Sequence, residues 1–265
     1  MYELRASRLA PRPSRAYSRA MNEVLYCGDA TLATGACYLG GVMSHAGIAF
    51  DYIPMNDRFP EEMLEHDYRL FVLSDYPSGN FRPEALRKIA SRVEKGASLL
   101  MVGGWESFHG LIGNYQSSAL AAALPVECLD EDDRINWCQG LVPEVTAQHP
   151  ILHGLPWDAP PVVCGCNRVR AKKGATVVLS LRKLRIEGGS LSRDREPLPL
   201  LVVGSHGTGR IGAFTSDFAP HWVGGLVDWG PERVRAQAPG GRAVEVGNHY
   251  VAFIRNLLVW FLRRA

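Results

Sequence analysis

The chain of 265 residues has no Cys-x-x-Cys pair, although it carries six cysteines. Cys27, Cys37, Cys128 and Cys138 are scattered, and Cys164 and Cys166 stand two apart, a strand spacing that would leave both on one face. That excludes the spacing of a closed zinc site, and a core this large needs no disulfide framework. Reduced thiols and a cytoplasmic setting are the expectation. Also lacking is any run of about 18 or more apolar residues, so no membrane span is expected. The most apolar segment, Val251 to Leu262, is broken by Arg255 and Asn256 and has the pattern of an amphipathic helix. Charge of either sign is in short supply as an excess: 29 basic and 27 acidic side chains leave a net charge of +2. With no broad positive field to collect nucleic acid or an anionic membrane, a small molecule is the expected partner. No internal repeat is present.

Acids are nearly missing from residues 1–20, where Glu3 stands alone against Arg5, Arg8, Arg12, Arg15 and Arg19, with Pro11 and Pro13 interrupting any helix. The composition imitates a transit peptide but has no apolar core of a secretory signal. It reads as a disordered basic tail, because so few apolar side chains cannot offset the ordering entropy, with Met21 as an alternative first residue.

What is present is an alternation of short apolar strands and helices. Val24 to Cys27 reads as a strand ending in Gly28-Asp29, followed by a helix around Val42 to Ala46 and a second strand over Ile48 to Ile53. An acidic helix is expected at Pro60 to His66. Arg69 to Leu73 is a third strand, ending in Ser74-Asp75. Pro83 opens a helix whose Leu86, Ile89, Ala90 and Val93 fall at helical spacing, and Gly96 closes it. A fourth strand, Ser98 to Val102, runs into Gly103-Gly104 and is expected to turn sharply into a helix. This spacing predicts an α/β, flavodoxin-like, mostly parallel sheet with right-handed crossovers and helices on both faces. The second half is richer in proline and ends in a hairpin, Leu198 to Val203 with Arg210 to Thr215, around Gly207-Thr208-Gly209. Antiparallel additions to the sheet follow. Gly188 to Arg195 reads as a polar, exposed excursion.

Four polar clusters sit at the expected strand ends. Ser74-Asp75 faces the crevice side of a parallel sheet, or caps its own turn. Gly103-Gly104-Trp105-Glu106-Ser107 could present a nucleophile at a strand-to-helix turn, with Ser107 as that group or as an N-cap. Asp132-Asp133-Arg134 could bind a divalent ion or form an ion pair that pins a loop. Asp217 and His221, four apart and followed by Trp222, could be a base and its orienter, or a turn cap and a packed ring. His149 and His153 flank Pro150, which disfavours the helix a metal pair would need. Gly204-x-x-Gly207-x-Gly209 precedes a strand rather than a helix, so neither ATP nor NAD is implied, and no cofactor or metal is expected.

Taken together, these motifs resemble a known family. Ser74-Asp75, Gly103-Gly104-x-x-Ser107-Phe108-x-Gly110-x-x-Gly113, Leu124-Pro125-Val126, Asp132-Asp133-Arg134, His149-Pro150-Ile151, Gly165-x-Asn167-x-Val169, Gly207-x-Gly209-Arg210, Ser216-Asp217 and Pro220-His221-Trp222 are similar to the glutamine amidotransferase-like proteins. The likeness covers Val24 to Leu262 and implies one class I glutamine amidotransferase-like domain over residues 21–265. ThuA-like proteins, which share that fold, are more distantly similar. A working class I glutaminase has a cysteine at the turn after the fourth strand, with histidine and glutamate after a late strand. Here the turn falls on or next to Trp105, and Asp217 and His221 stand near the late strand without the His-Pro-Glu order.

The expectation is therefore a protein that acts on or binds a small polar metabolite without hydrolysing glutamine. As an enzyme it would be a hydrolase or lyase lacking a cysteine nucleophile. Asp75, Asp217 and His221 are the candidate catalytic residues. Ser74, Gly103, Gly104, Trp105, Ser107, Asp133, Arg134 and Trp222 are the candidate binding residues. The alternatives are a non-catalytic binding or regulatory module on the same fold and a homo-oligomer joined through Trp222, Trp229 and Trp260.

Overall fold

A computed structural model describes residues 22–222 and 224–264; the expected basic tail lies outside them. The first half alternates β1 (Val24–Gly28), α1 (Cys37–His45), β2 (Phe50–Ile53), β3 (Leu70–Ser74), α2 (Pro83–Glu94) and β4 (Ser98–Val102). A short helix α3 (Leu120–Ala123) leads to β5 (Val126–Glu127), β6 (Arg134–Val145), β7 (Val163–Asn167) and β8 (Arg170–Ala171). Then come β9 (Thr176–Glu187), β10 (Ser190–Arg193), β11 (Leu198–His206) and β12 (Gly209–Phe214). The chain closes with α4 (Gly224–Val227), β13 (Arg233–Ala236), β14 (Val244–Gly247) and α5 (Asn248–Leu262).

One mixed sheet runs in the order β2-β1-β3-β4-β12-β11-β9-β6-β7, with β10 paired to β9. From β2 to β12 every pairing is parallel, and from β11 onward every pairing is antiparallel. The expected flavodoxin-like order with antiparallel additions is what forms. Strand alternation sorts the core into two layers. Val24, Tyr26, Val72, Leu100 and Val102 face α1 and α5, whereas Leu25, Cys27, Phe71, Leu73, Leu99 and Met101 face α2. Both layers are needed because a parallel sheet is buried on both faces. Helix α2 follows from its sequence: Pro83 is pre-set for a first helical turn, Ala85, Leu86, Ile89 and Val93 form its buried face, and Gly96 at φ +123° ends it.

Five expectations need correction. No helix follows β4: residues 103–114 form an irregular loop of turns, held from outside by side chains described below. Helix α1 begins at Cys37 rather than at Val42. The acidic segment is only a 3-10 turn, Glu61–Glu65. Strand β6 was hidden in the sequence by Gly140 and Pro143, and its pairing with β7 is interrupted between Asn136 and Leu141, with Gly140 at φ +97°. The polar excursion after Gly189 is a true strand, β10, whose four residues are all exposed.

Gly28 of β1 pairs with Ser74 of β3. Its φ is +129°, and a Cβ there would lie 1.5 Å from the Ser74 carbonyl oxygen. Gly28→Ala is therefore expected to cost about 1–3 kcal/mol from backbone strain, with the steric overlap added to it. Chemical denaturation against wild type measures the loss; an unchanged midpoint would refute this account of the strand ends.

Candidate functional site

Strand register builds the site. Gly28 pairs with Ser74, Ser74 with Val102, and Val102 with Phe214. The residues one step beyond this line are Asp29, Asp75, Gly103 and Thr215, at the C-terminal ends of adjacent parallel strands. The strand order reverses between β1 and β3, which is the crevice where such sheets bind ligands. Both aspartates leave their strands in the left-handed region, Asp29 at φ +43° and Asp75 at φ +51°, a conformation aspartate tolerates better than most residues. Asp217 arrives from the turn after β12, and His221 from the same turn.

Asp29 and Asp217 are almost fully buried, and Asp75 is partly so. Tyr26 donates its hydroxyl to Asp29 Oδ2. Burial pushes the Asp29 carboxyl well above its ordinary range, and the negative fields of Asp217 and Asp75 push it further. Burial also raises Asp75, to about 7, against the opposing hydrogen bond from the Glu106 amide. Asp217 is raised by burial, although His221 and the Ala219 amide both stabilise its charged form. His221 Nδ1 lies 3.2 Å from Asp217 Oδ2, and that bond raises the imidazole pKa. The ring itself is exposed, with 66% of its side chain accessible. Burial thus raises all three carboxyls together, beside one surface imidazole whose charged form Asp217 favours. Among the described residues, no three His, Cys, Asp or Glu side chains are placed to hold one metal ion.

A second polar group holds the loop after β4. Ser107 Oγ donates to the Val102 carbonyl and accepts the Asp75 amide at 2.9 Å. Asp133 accepts the amides of His109 and Gly110, each at 3.0 Å, and the Asn167 side chain at 2.7 Å. Asn167 in turn accepts the Gly104 amide at 2.9 Å. Gly103 donates to the Phe214 and Ser216 carbonyls at 2.7 and 3.0 Å. Gly104, at φ +159°, must lack a side chain, because a Cβ would lie 2.5 Å from Asp75 Oδ1.

The structure thus divides the expected site. Asp75, Asp217 and His221 come together. Ser107 and Asp133 do not face a ligand: both are buried and their polar atoms are spent inside the protein. Nor is Ser107 an N-cap, since no helix begins there. The amides of Gly103 and Gly104 are likewise taken. Trp222 is buried against Gly165, with its indole N–H on Asn136 Oδ1 at 2.9 Å. Ser74 is fully buried, and its hydroxyl has no hydrogen-bond partner. Trp105 is 49% exposed, and the Arg134 guanidinium stacks 4.6 Å from its ring centre while pairing with Asp132 at 2.6 Å. The ion-pair reading of Asp132 and Arg134 is the one that forms.

Asp29, Tyr26 and the bonding role of Asn167 were not singled out from the sequence. The available signal was that two neighbouring strands both end in a small residue followed by aspartate, Gly28-Asp29 and Ser74-Asp75. A surface hollow of about 740 Å³ lies on the antiparallel side and is lined by Val145, His149, His153 and Trp157. His149 is a turn residue there, accepting the Ile151 amide at 3.3 Å.

The model of the family described as "Putative glutamine amidotransferase" (GATase1-like) matches residues 27–232, and the chain belongs to that family. Among solved structures, cytoplasmic protein STM3548 from Salmonella typhimurium is 30% identical at a TM-score of 0.62, over 76% of this chain and 89% of that one. Cytoplasmic protein STM1381 from Salmonella typhimurium LT2 is 27% identical at 0.68, over 90% and 98%. A ThuA-like protein from Parabacteroides merdae, 13% identical at 0.54 over 90% and 89%, shares the fold. None of the curated proteins compared with the chain matches it.

The raised Asp75 pKa predicts a pH dependence. The folded protein keeps this proton up to about pH 7, whereas the unfolded chain loses it near 3.8, so its stabilising contribution is full below pH 3.8 and is lost as pH rises through 7. Asp75→Asn keeps the acceptor oxygen for the Glu106 amide and removes the titration. Its stability relative to wild type is expected to rise by a few kcal/mol between pH 4 and pH 8. Denaturant titrations across that range check this; parallel curves for the two proteins would contradict it.

Proposed function

We propose that the protein binds a small polar metabolite at the ends of β1, β3 and β12 and acts on it by proton transfer, without hydrolysing glutamine. The observation that carries this reading is Asp75: a carboxyl with a pKa of about 7 at a topological switch point, beside Asp29, Asp217 and an exposed imidazole. A group poised near the working pH both accepts and returns protons efficiently. In this reading Asp75 is the base, His221 is the acid that exchanges with solvent, and Asp217 fixes the tautomer and orientation of His221. Asp29, whose carboxyl burial raises, accepts the Tyr26 hydroxyl behind them. The reaction class is hydrolysis or elimination, in a cytoplasmic setting.

Glutamine hydrolysis is disfavoured because the turn after β4 presents Trp105 and Glu106 where a glutaminase of this fold carries its cysteine. The nearest cysteine in sequence to the Asp29 turn, Cys27, is fully buried in β1, with its thiol pKa pushed up by burial. A second reading, a binding or regulatory module without turnover, is favoured by that same missing nucleophile.

Purified protein is expected to release no ammonia from glutamine; release that disappears with one cysteine substitution would overturn the proposal. In a metabolite screen read by thermal shift, a compound at 100 times its Kd adds about 2.7 kcal/mol of stability. His221→Ala is expected to abolish turnover of such a compound with little change in melting temperature, because the ring is exposed. Stabilisation without turnover selects the second reading, and unchanged turnover in the variant refutes the role given to His221.

A further inference from the structure

We infer that a second ligand site lies at the end of the sheet opposite the carboxyl cluster, and that it takes a phosphate group, as inorganic phosphate or a small phosphate monoester. It is a hollow of about 400 Å³ where the start of β12 meets the end of α5, lined by Arg210, Arg263, Arg264, Trp260, Asn256 and Pro150.

The first observation is a surplus of fixed cations. In sequence Arg263-Arg264 follows directly on the apolar helix α5, and Arg210 stands at the start of β12, which runs parallel to β4. The fold draws the three together. Among the described residues the one acid paired with any of them is Glu23, which Arg264 reaches at 3.0 Å and which Arg69 shares at 3.3 Å. Arg210 and Arg263 pair with no acid among those residues. Burial of Arg210, with the like charge of Arg263 added, lowers its pKa. Two uncompensated cations at one hollow match a dianion, and a phosphate monoester carries close to two negative charges at neutral pH. The guanidinium fork also fits phosphate oxygens in pairs.

The second observation is that these side chains are anchored and still have donors to give. Arg210 Nη1 donates to the Trp260 carbonyl, Arg263 Nη2 to the Thr208 carbonyl and Arg264 Nη2 to Glu23 Oε1. Each guanidinium is held by one nitrogen, and its other two have no partner among the described residues. The Arg210 guanidinium also lies 4.5 Å from the centre of the Trp260 ring, against which His149 packs at 4.9 Å. Capping α5 does not consume the remaining donors. The Val259 and Trp260 carbonyls accept the Arg264 and Arg263 amides, the Phe261 carbonyl accepts Ser98 Oγ, and the Leu262 carbonyl accepts Arg69. The helix end therefore turns no orphan carbonyl on an incoming anion. Asn256 ties the far wall in place by donating to the Ile151 and His153 carbonyls at 3.3 and 2.9 Å, and Trp260 and Pro150 give the organic part of an ester an apolar surface.

The test compares inorganic phosphate, glycerol 3-phosphate and vesicles containing phosphatidic acid with sodium acetate at equal ionic strength, by thermal shift and titration calorimetry. The two soluble phosphates are expected to raise the melting temperature and acetate to leave it unchanged. Arg263→Gln is expected to weaken phosphate binding at least tenfold, and Arg264→Gln supplies the same reading should the first variant not fold. Arg255→Gln removes an equal charge from the exposed face of α5 outside the hollow and is expected to bind as wild type does. Asp75→Asn is also expected to bind phosphate unchanged. The inference is overturned if neither soluble phosphate stabilises wild type more than acetate, if only the vesicles bind, or if Arg263→Gln and Arg264→Gln both bind as tightly as wild type. Equal weakening by Arg255→Gln overturns it as well, since that marks an unspecific effect of charge, and loss of binding in Asp75→Asn places the anion at the other end of the sheet.

Discussion

The bond on which the architecture turns is the 2.7 Å contact between the Asn167 side chain and the buried Asp133 carboxylate. Asp133 lies just ahead of β6 and Asn167 ends β7, at the far edge of the antiparallel half. Together they grip Gly104, His109 and Gly110, which belong to the parallel half. A loop without helix or strand would leave several amides unpaired, and these two side chains satisfy them. Each partner is costly to lose, because a buried charge or amide would then stand alone. The turn after β4 therefore keeps its shape without a helix to define it.

That turn and the carboxyl cluster share Asp75. Its amide donates to Ser107 Oγ, and its carboxyl accepts the Glu106 amide. Restraint on both sides of one residue explains how a left-handed conformation persists at a strand end, since isolated strain of this kind needs surroundings that over-determine it. The same packing removes water from the carboxyl and raises its pKa. Geometry and proton affinity at Asp75 thus have one origin.

Much of the parallel half was legible because buried strands and an amphipathic helix carry their periodicity in local sequence. Leu99 to Val102 and Leu86 to Val93 are examples. Asp75, Asp217 and His221 were legible too, because polar residues directly after an apolar strand must lie at its end. Asp29 was not, since Gly-Asp after a strand reads equally as a plain turn; only register with β3 turns it into a neighbour of Asp75. The roles of Ser107, Asp133 and Asn167 were illegible for a different reason. Apart from the Val102 carbonyl that Ser107 reaches, their partners lie 23 to 63 residues away in sequence, and nothing in a local pattern reports on a bond of that separation. Strand β6 was lost because Gly140 and Pro143 break the alternation that signals a strand, and the bulge that tolerates them is a tertiary feature.

The clamp on the loop after β4 acts on the backbone of residues 104, 109 and 110, and on no side chain of residues 105, 106, 111 or 112. Trp105, Leu111 and Ile112 project outward from a frame whose geometry is set elsewhere. Such a loop separates two properties that most turns combine, the path of the main chain and the identity of its side chains. Substitutions at its outward positions 105, 111 and 112 therefore change the surface of this turn and leave the path of its main chain in place.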